Sequence, residues 1–108
     1  MPIREIMRKK RSDRNHIIYA VTADTGETYI GLTVAIGQAY LRSVKVRVQK
    51  HISRALKEDK DWSFCQFIRE NPEVQLRYEV LEVVRGRKAA HELEREYIRE
   101  WAPSLNTF

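Results

Sequence analysis

The chain has 108 residues, 43% hydrophobic and 32% charged, with a formal charge of +5 and a sequence pI near 9.6. That length is one domain with one modest core, and no run approaches the roughly 20 apolar residues of a membrane span, so a membrane is not an expected partner. A single cysteine, Cys65, excludes an intrachain disulfide and a cysteine zinc cluster and fits a reducing, intracellular (cytoplasmic) compartment.

Residues 1–14 read as a basic arm. Arg4, Arg8, Lys9, Lys10, Arg11 and Arg14 outweigh Glu5 and Asp13, so +4 of the chain's +5 sits there. Such an arm suits phosphate contact, because each neutralised phosphate releases counterions whatever the base sequence; the plainer alternative is a solvated tail. No apolar h-region follows it, so a cleaved signal peptide is not expected. Residues 15–108 read as a single domain.

Ile17 to Thr22 has strong β-propensity, Asp24-Thr25-Gly26 supplies turn chemistry, and Thr28-Tyr29-Ile30-Gly31 resumes β character. Together they predict a hairpin with a loop of about four or five residues. Tyr19 and Tyr29 then lie on neighbouring strands, and register decides whether they share a face. Val44, Val46 and Val48 alternate like a strand, but Val44, Val48, Ile52 and Ala55 also fall at helical spacing. A helix over 38–58 is the reading adopted, which makes Arg47 and His51 an i,i+4 pair.

Asp61 is placed to cap a short helix ending near Glu70, before Asn71-Pro72, with Trp62, Phe64, Phe67 and Ile68 on its apolar side. Cys65 within it reads as a buried small hydrophobe. A third strand over 74–84 follows, with Leu76, Tyr78, Val80 and Glu82 on one face. A final helix is predicted over 87–101, with an apolar stripe of Ala90, Leu93, Tyr97, Ile98 and Trp101 and Pro103 as its stop.

Glu94 is the sharpest physical clue. Its neighbours at i−4, i−1, i+3 and i+4 are Ala90, Leu93, Tyr97 and Ile98. A carboxylate in an apolar stripe is costly unless it is paired, hydrogen-bonded or bound to metal. Taken alone, Glu94 is better explained by a buried ion pair, for example to Arg47, or by a stripe-edge position that reaches water. Arg47 and His51 taken singly are ordinary helix-surface residues, and strand tyrosines are ordinarily packing residues.

In joint order these residues resemble the GIY-YIG nuclease family over roughly residues 16–106. Tyr19 matches the tyrosine of the first naming motif, and Tyr29-Ile30-Gly31 matches the second outright. Arg47 matches the family's helical arginine and His51 a position that is histidine or tyrosine. Leu93 to Arg99, around Glu94, looks like the metal-ligand helix, and Pro103 to Asn106 like the closing segment with its asparagine. The chain departs from the pattern in two places. Ile17 stands where the first motif has glycine, and the gap from Gly31 to Arg47 is long, which makes Arg42 a rival for the arginine role. Arg47 is preferred because it keeps the four-residue step to His51.

The resemblance implies an α+β fold, a small three-stranded antiparallel sheet flanked by helices. It implies a metal-dependent endonuclease that hydrolyses DNA phosphodiesters and leaves a 5′-phosphate and a 3′-hydroxyl. Glu94 would hold one Mg²⁺ (or Mn²⁺), Arg47 would clamp the phosphate, and Tyr19, Tyr29 or His51 would activate water. Asn106 would support the site by hydrogen bonds, and His16 is a spare candidate for water activation. A charged or hydrogen-bonded His51 is one of the groups that could lower a tyrosine pKa. One such site cuts one strand per event, so a homodimer is one route to duplex breaks. The alternatives are a non-cleaving nucleic-acid-binding module on a nuclease-like fold and a basic structural domain.

Overall fold

The structure, a computed structural model, describes residues 14–58 and 63–106. Arg4, Arg8, Lys9, Lys10 and Arg11 of the arm, the expected cap Asp61 and Trp62 lie outside the described residues, as does the side chain of Ala55. Three strands and three helices follow in chain order: β1 (Asn15–Ala23), β2 (Thr28–Val34), α1 (Tyr40–Glu58), α2 (Ser63–Glu70), β3 (Leu76–Arg85) and α3 (Arg87–Trp101). This is the expected α+β fold. No described helix is long and apolar enough to cross a membrane.

The sheet is antiparallel throughout, in the order β2-β1-β3. β1 is central because its side chains are apolar on both faces: every residue from His16 to Val21 is buried. The turn to β2 takes four residues, 24–27, with Gly26 at φ +103°, where an L side chain is strained, and Ala23 N–H donating to the Glu27 carbonyl at 2.8 Å. Alternation then divides the core between the two faces. Ile17, Tyr19 and Val21 pack with Val44 and Val48 of α1, Phe64 and Ile68 of α2 and Leu105. Ile18, Ala20 and Ile30 face Leu93, Tyr97 and Ile98 of α3. Ile17, in place of the glycine of the first naming motif, is thus a fully buried core residue. Cys65 is buried as expected.

β3 departs from simple alternation. Tyr19 pairs with Val80 and Ile18 with Glu82, so Leu81 is an extra residue at a bulge. Beyond it the parity reverses. Val83, rather than Glu82, joins Leu76, Tyr78 and Val80 on the α1–α2 side, while Leu81 and Val84 turn towards α3. Glu82 stays exposed and accepts a 2.9 Å hydrogen bond from the Tyr97 hydroxyl. The strand itself begins two residues later than the reading of 74–84.

α3 ends as its sequence dictates. Ala102 adopts the left-handed conformation at φ 46°, its N–H donates to the Ile98 carbonyl at 2.9 Å, and Pro103 bars continuation. Ala90 is its buried contact. Trp101 is 43% exposed and meets Tyr97 edge-on, so it borders the expected stripe rather than filling it. The segment after α3 turns back along β2. Arg14 also belongs to the folded domain: its carbonyl accepts hydrogen bonds from Gly86 N–H and from the His16 ring.

Candidate active site

Tyr19 and Tyr29 share the α1–α2 face of the sheet. Tyr19 pairs with Gly31 across the ladder, which sets Tyr29, two residues earlier, on the diagonal. Their ring centroids are 6.3 Å apart. Tyr29 also stacks on Phe64 of α2, with centroids 4.7 Å apart and planes 11° from parallel, and meets the His51 ring edge-on at 6.4 Å. The helical step from Arg47 to His51 places both beside this aromatic group. His51 is only 5% exposed, while Arg47 is exposed at the rim.

A cleft of about 610 Å³ opens here. Its floor is β2 (Tyr29, Leu32, Thr33, Val34), one wall is α1 (Ser43, Val46, Arg47, Lys50, His51) and the other is α3 (Arg87, His91, Glu94), with His16 and Ile36 completing it. Four of the expected site residues therefore meet in one place: Tyr29, Arg47, His51 and Glu94. Arg42 does not line the cleft, so the structure favours Arg47 of the two rivals. Tyr19 lies one layer beneath, fully buried, as a support for the Tyr29 ring.

Asn106 supports the site without entering the cleft. Its Oδ1 accepts from the Ile30 N–H at 2.8 Å and its Nδ2 donates to the Ile30 carbonyl at 2.9 Å. Both outward backbone groups of an edge-strand residue are thereby satisfied. Together with Leu105 N–H donating to the Thr28 carbonyl, this holds the strand that carries Tyr29.

The electrostatics are those of groups that sense one another. Burial raises the Tyr29 pKa to about 12, with Glu94 adding to the rise and Arg47 opposing it. Tyr19 is raised further still by burial, then by Tyr29, with Arg47 opposing and Glu94 adding. Its hydroxyl has no hydrogen-bond partner of good geometry; the Arg47 side chain is the group that reaches towards it. His51 is lowered to about 4 by burial and by the cations Arg47 and Arg54. It is neutral at pH 7, so it is not the charged neighbour that would lower a tyrosine pKa. Glu94 is raised by burial, against a smaller pull from Arg95. Both tyrosines are phenols at neutral pH, and Tyr29 is the one that faces the cleft.

Two cleft histidines lie outside the motif logic. His16 Nδ1 donates to the Arg14 carbonyl at 2.8 Å. His91 Nδ1 stands 3.8 Å from Glu94 Oε1. The sequence signal for His91 was its i−3 spacing from Glu94, a helix neighbour as near as those that define the apolar stripe. Among the described residues no group of three or more histidine, cysteine or carboxylate side chains could hold an ion by itself. A lone carboxylate at an open cleft does fit Mg²⁺, which keeps most of its waters and binds through one or two carboxylates plus substrate phosphate. Comparison of the chain with family models, with curated proteins and with solved structures finds no match.

Proposed function

We propose that this domain is a metal-dependent endonuclease of the GIY-YIG type that hydrolyses phosphodiester bonds of DNA. The observation that carries the proposal is the convergence of Tyr29, Arg47, His51 and Glu94 from β2, α1 and α3 on one cleft. Glu94 is the residue that would hold the divalent cation. When bound, Mg²⁺ or Mn²⁺ supplies charge neutralisation at the scissile phosphate and at the leaving 3′-oxygen.

The remaining work falls to the chain's own side chains. Arg47, at the rim, receives phosphate oxygens with its planar fork. Lys50 and Arg87, on opposite walls, bring further cations to the same cleft, so the field there attracts a polyanion despite Glu94. Tyr29, which lines the cleft, would orient the attacking water with its hydroxyl. Deprotonating that phenol requires the cations of a filled site to overcome its burial. Neutral His51 meets the Tyr29 ring edge-on. Tyr19 and Asn106 hold Tyr29 in place from below and behind. The basic arm adds affinity rather than sequence recognition.

The test is supercoiled plasmid incubated with the protein in Mg²⁺ and in EDTA. The proposal expects nicked circles in Mg²⁺ alone, with 5′-phosphate ends that a ligase can reseal. Salt-sensitive DNA binding without nicking, in any divalent cation, would instead support a binding module.

A further inference from the structure

His91 and Glu94 lie three residues apart on α3, so the helix presents them side by side, and both line the cleft. The histidine side chain is 45% exposed and the carboxylate 20%, so the pair is open to solution on the histidine side. Their 3.8 Å separation is too long for a hydrogen bond. Two donors on one cation, at right angles with bonds of about 2.1 Å, stand about 3 Å apart. A small rotation of the more exposed His91 ring closes that difference. A carboxylate and an imidazole at the same three-residue step, in the reverse order, present ligands from a single helix in carboxylate-type metal proteins.

We propose that His91 and Glu94 form a two-donor site for a first-row transition-metal ion such as Co²⁺, Ni²⁺ or Zn²⁺, which the cleft takes ahead of Mg²⁺. The inference rests on the reading of Glu94 as a cation ligand and adds a nitrogen donor to it. Mg²⁺ prefers oxygen donors and keeps its waters, whereas imidazole favours the later divalent metals. Two protein donors are one fewer than catalytic zinc sites use, so water and phosphate would complete the coordination sphere. The proposed pair comes from α3 alone: His16 stands on β1, where its Nδ1 donates to the Arg14 carbonyl, and His51 lies across the cleft on α1.

The test is calorimetric titration of the wild-type protein, His91→Ala, Glu94→Gln and His51→Ala with Co²⁺ and separately with Mg²⁺, without DNA, after circular dichroism confirms that each variant is folded. The expected result is Co²⁺ affinity about tenfold or more above that for Mg²⁺, lost in His91→Ala and Glu94→Gln by at least the roughly 10–100-fold that removing an outer-shell partner of a ligand costs. Mg²⁺ affinity should fall in Glu94→Gln and hold in His91→Ala. Equal Co²⁺ binding by wild type and His91→Ala, or a loss confined to His51→Ala, overturns the assignment. Co²⁺ binding that needs His91 in a protein that never cuts DNA keeps this site and removes the nuclease reading. Cleavage with His91→Ala binding Co²⁺ normally does the reverse.

Discussion

Gly31 faces Tyr19 across the β1–β2 ladder so closely that a Cβ at position 31 would run into the Tyr19 hydroxyl, 2.5 Å from its Cζ and 2.8 Å from Cε2 of Tyr29. The glycine is therefore the space in which the two tyrosines meet. Gly31→Ala must push one ring out of a close-packed group, and overpacking of this kind costs about 1–3 kcal/mol. Denaturant unfolding should show that loss, and plasmid nicking should fall with it because Tyr29 moves. An unchanged midpoint would mean that the rings are not held as described.

Asn106 closes the outer edge of β2 by pairing both backbone groups of Ile30. Asn106→Ala leaves an edge N–H and C=O half-covered, at a cost of about 1–3 kcal/mol for each group left unsatisfied away from water. Amide exchange at Ile30 should accelerate more than exchange at Ala20, in the strand centre. Equal acceleration at both would place the effect in global stability rather than in the clamp.

Glu94 carries a raised pKa because it is partly buried. A folded-state value above the unfolded one means that the folded protein binds its proton more tightly. Stability is then lost as pH rises through that range, and the ionised carboxylate is a burden at neutral pH. In EDTA at pH 7, Glu94→Gln should melt at a higher temperature than wild type, and the difference should vanish below the ordinary carboxylate range. A divalent cation should raise the melting temperature of wild type and not of the variant. A variant less stable than wild type in EDTA would show that Glu94 is a stabilising ion-pair partner.

His51 behaves oppositely. Its pKa falls to about 4 through burial and the nearby Arg47 and Arg54. A depressed folded-state value contributes stability that is present above the unfolded value of about 6.5 and is lost as pH falls towards 4. The His51 ring proton followed by NMR should titrate well below pH 6, and His51→Gln should flatten the decline in stability across that window. A midpoint near 6.5 would mean a solvated ring.

Much of this was legible in the sequence because it rested on strong local signals. The four-residue turn followed from Asp24-Thr25-Gly26, and α3 was legible over 87–101 because an apolar stripe, broken by Glu94, led to the stop at Pro103. The shared face of Tyr19 and Tyr29 needed the register, which side-chain types do not fix. The bulge at Leu81 was invisible, since no glycine or turn residue marks it and either parity of β3 supplies apolar side chains to both faces. The depth difference between Tyr19 and Tyr29 comes from the strand order, which puts Tyr19 on the central strand and Tyr29 on the edge strand that borders the cleft. His91 was hidden among the charged residues around it, and only the cleft gives it a role.

The central claim is that Tyr29, Arg47, His51 and Glu94 act as one catalytic unit. The most direct measurement is the single-turnover nicking rate of supercoiled plasmid in Mg²⁺ for Tyr29→Phe, Arg47→Ala, Glu94→Gln and the double variant Arg47→Ala/Glu94→Gln. Residues that work together are non-additive, and loss of one electrostatic contributor costs about 10²–10³-fold in rate. The account predicts losses of that order in each single variant, with DNA binding retained by Glu94→Gln and little further loss in the double variant. Nicking by Glu94→Gln at the wild-type rate would contradict it.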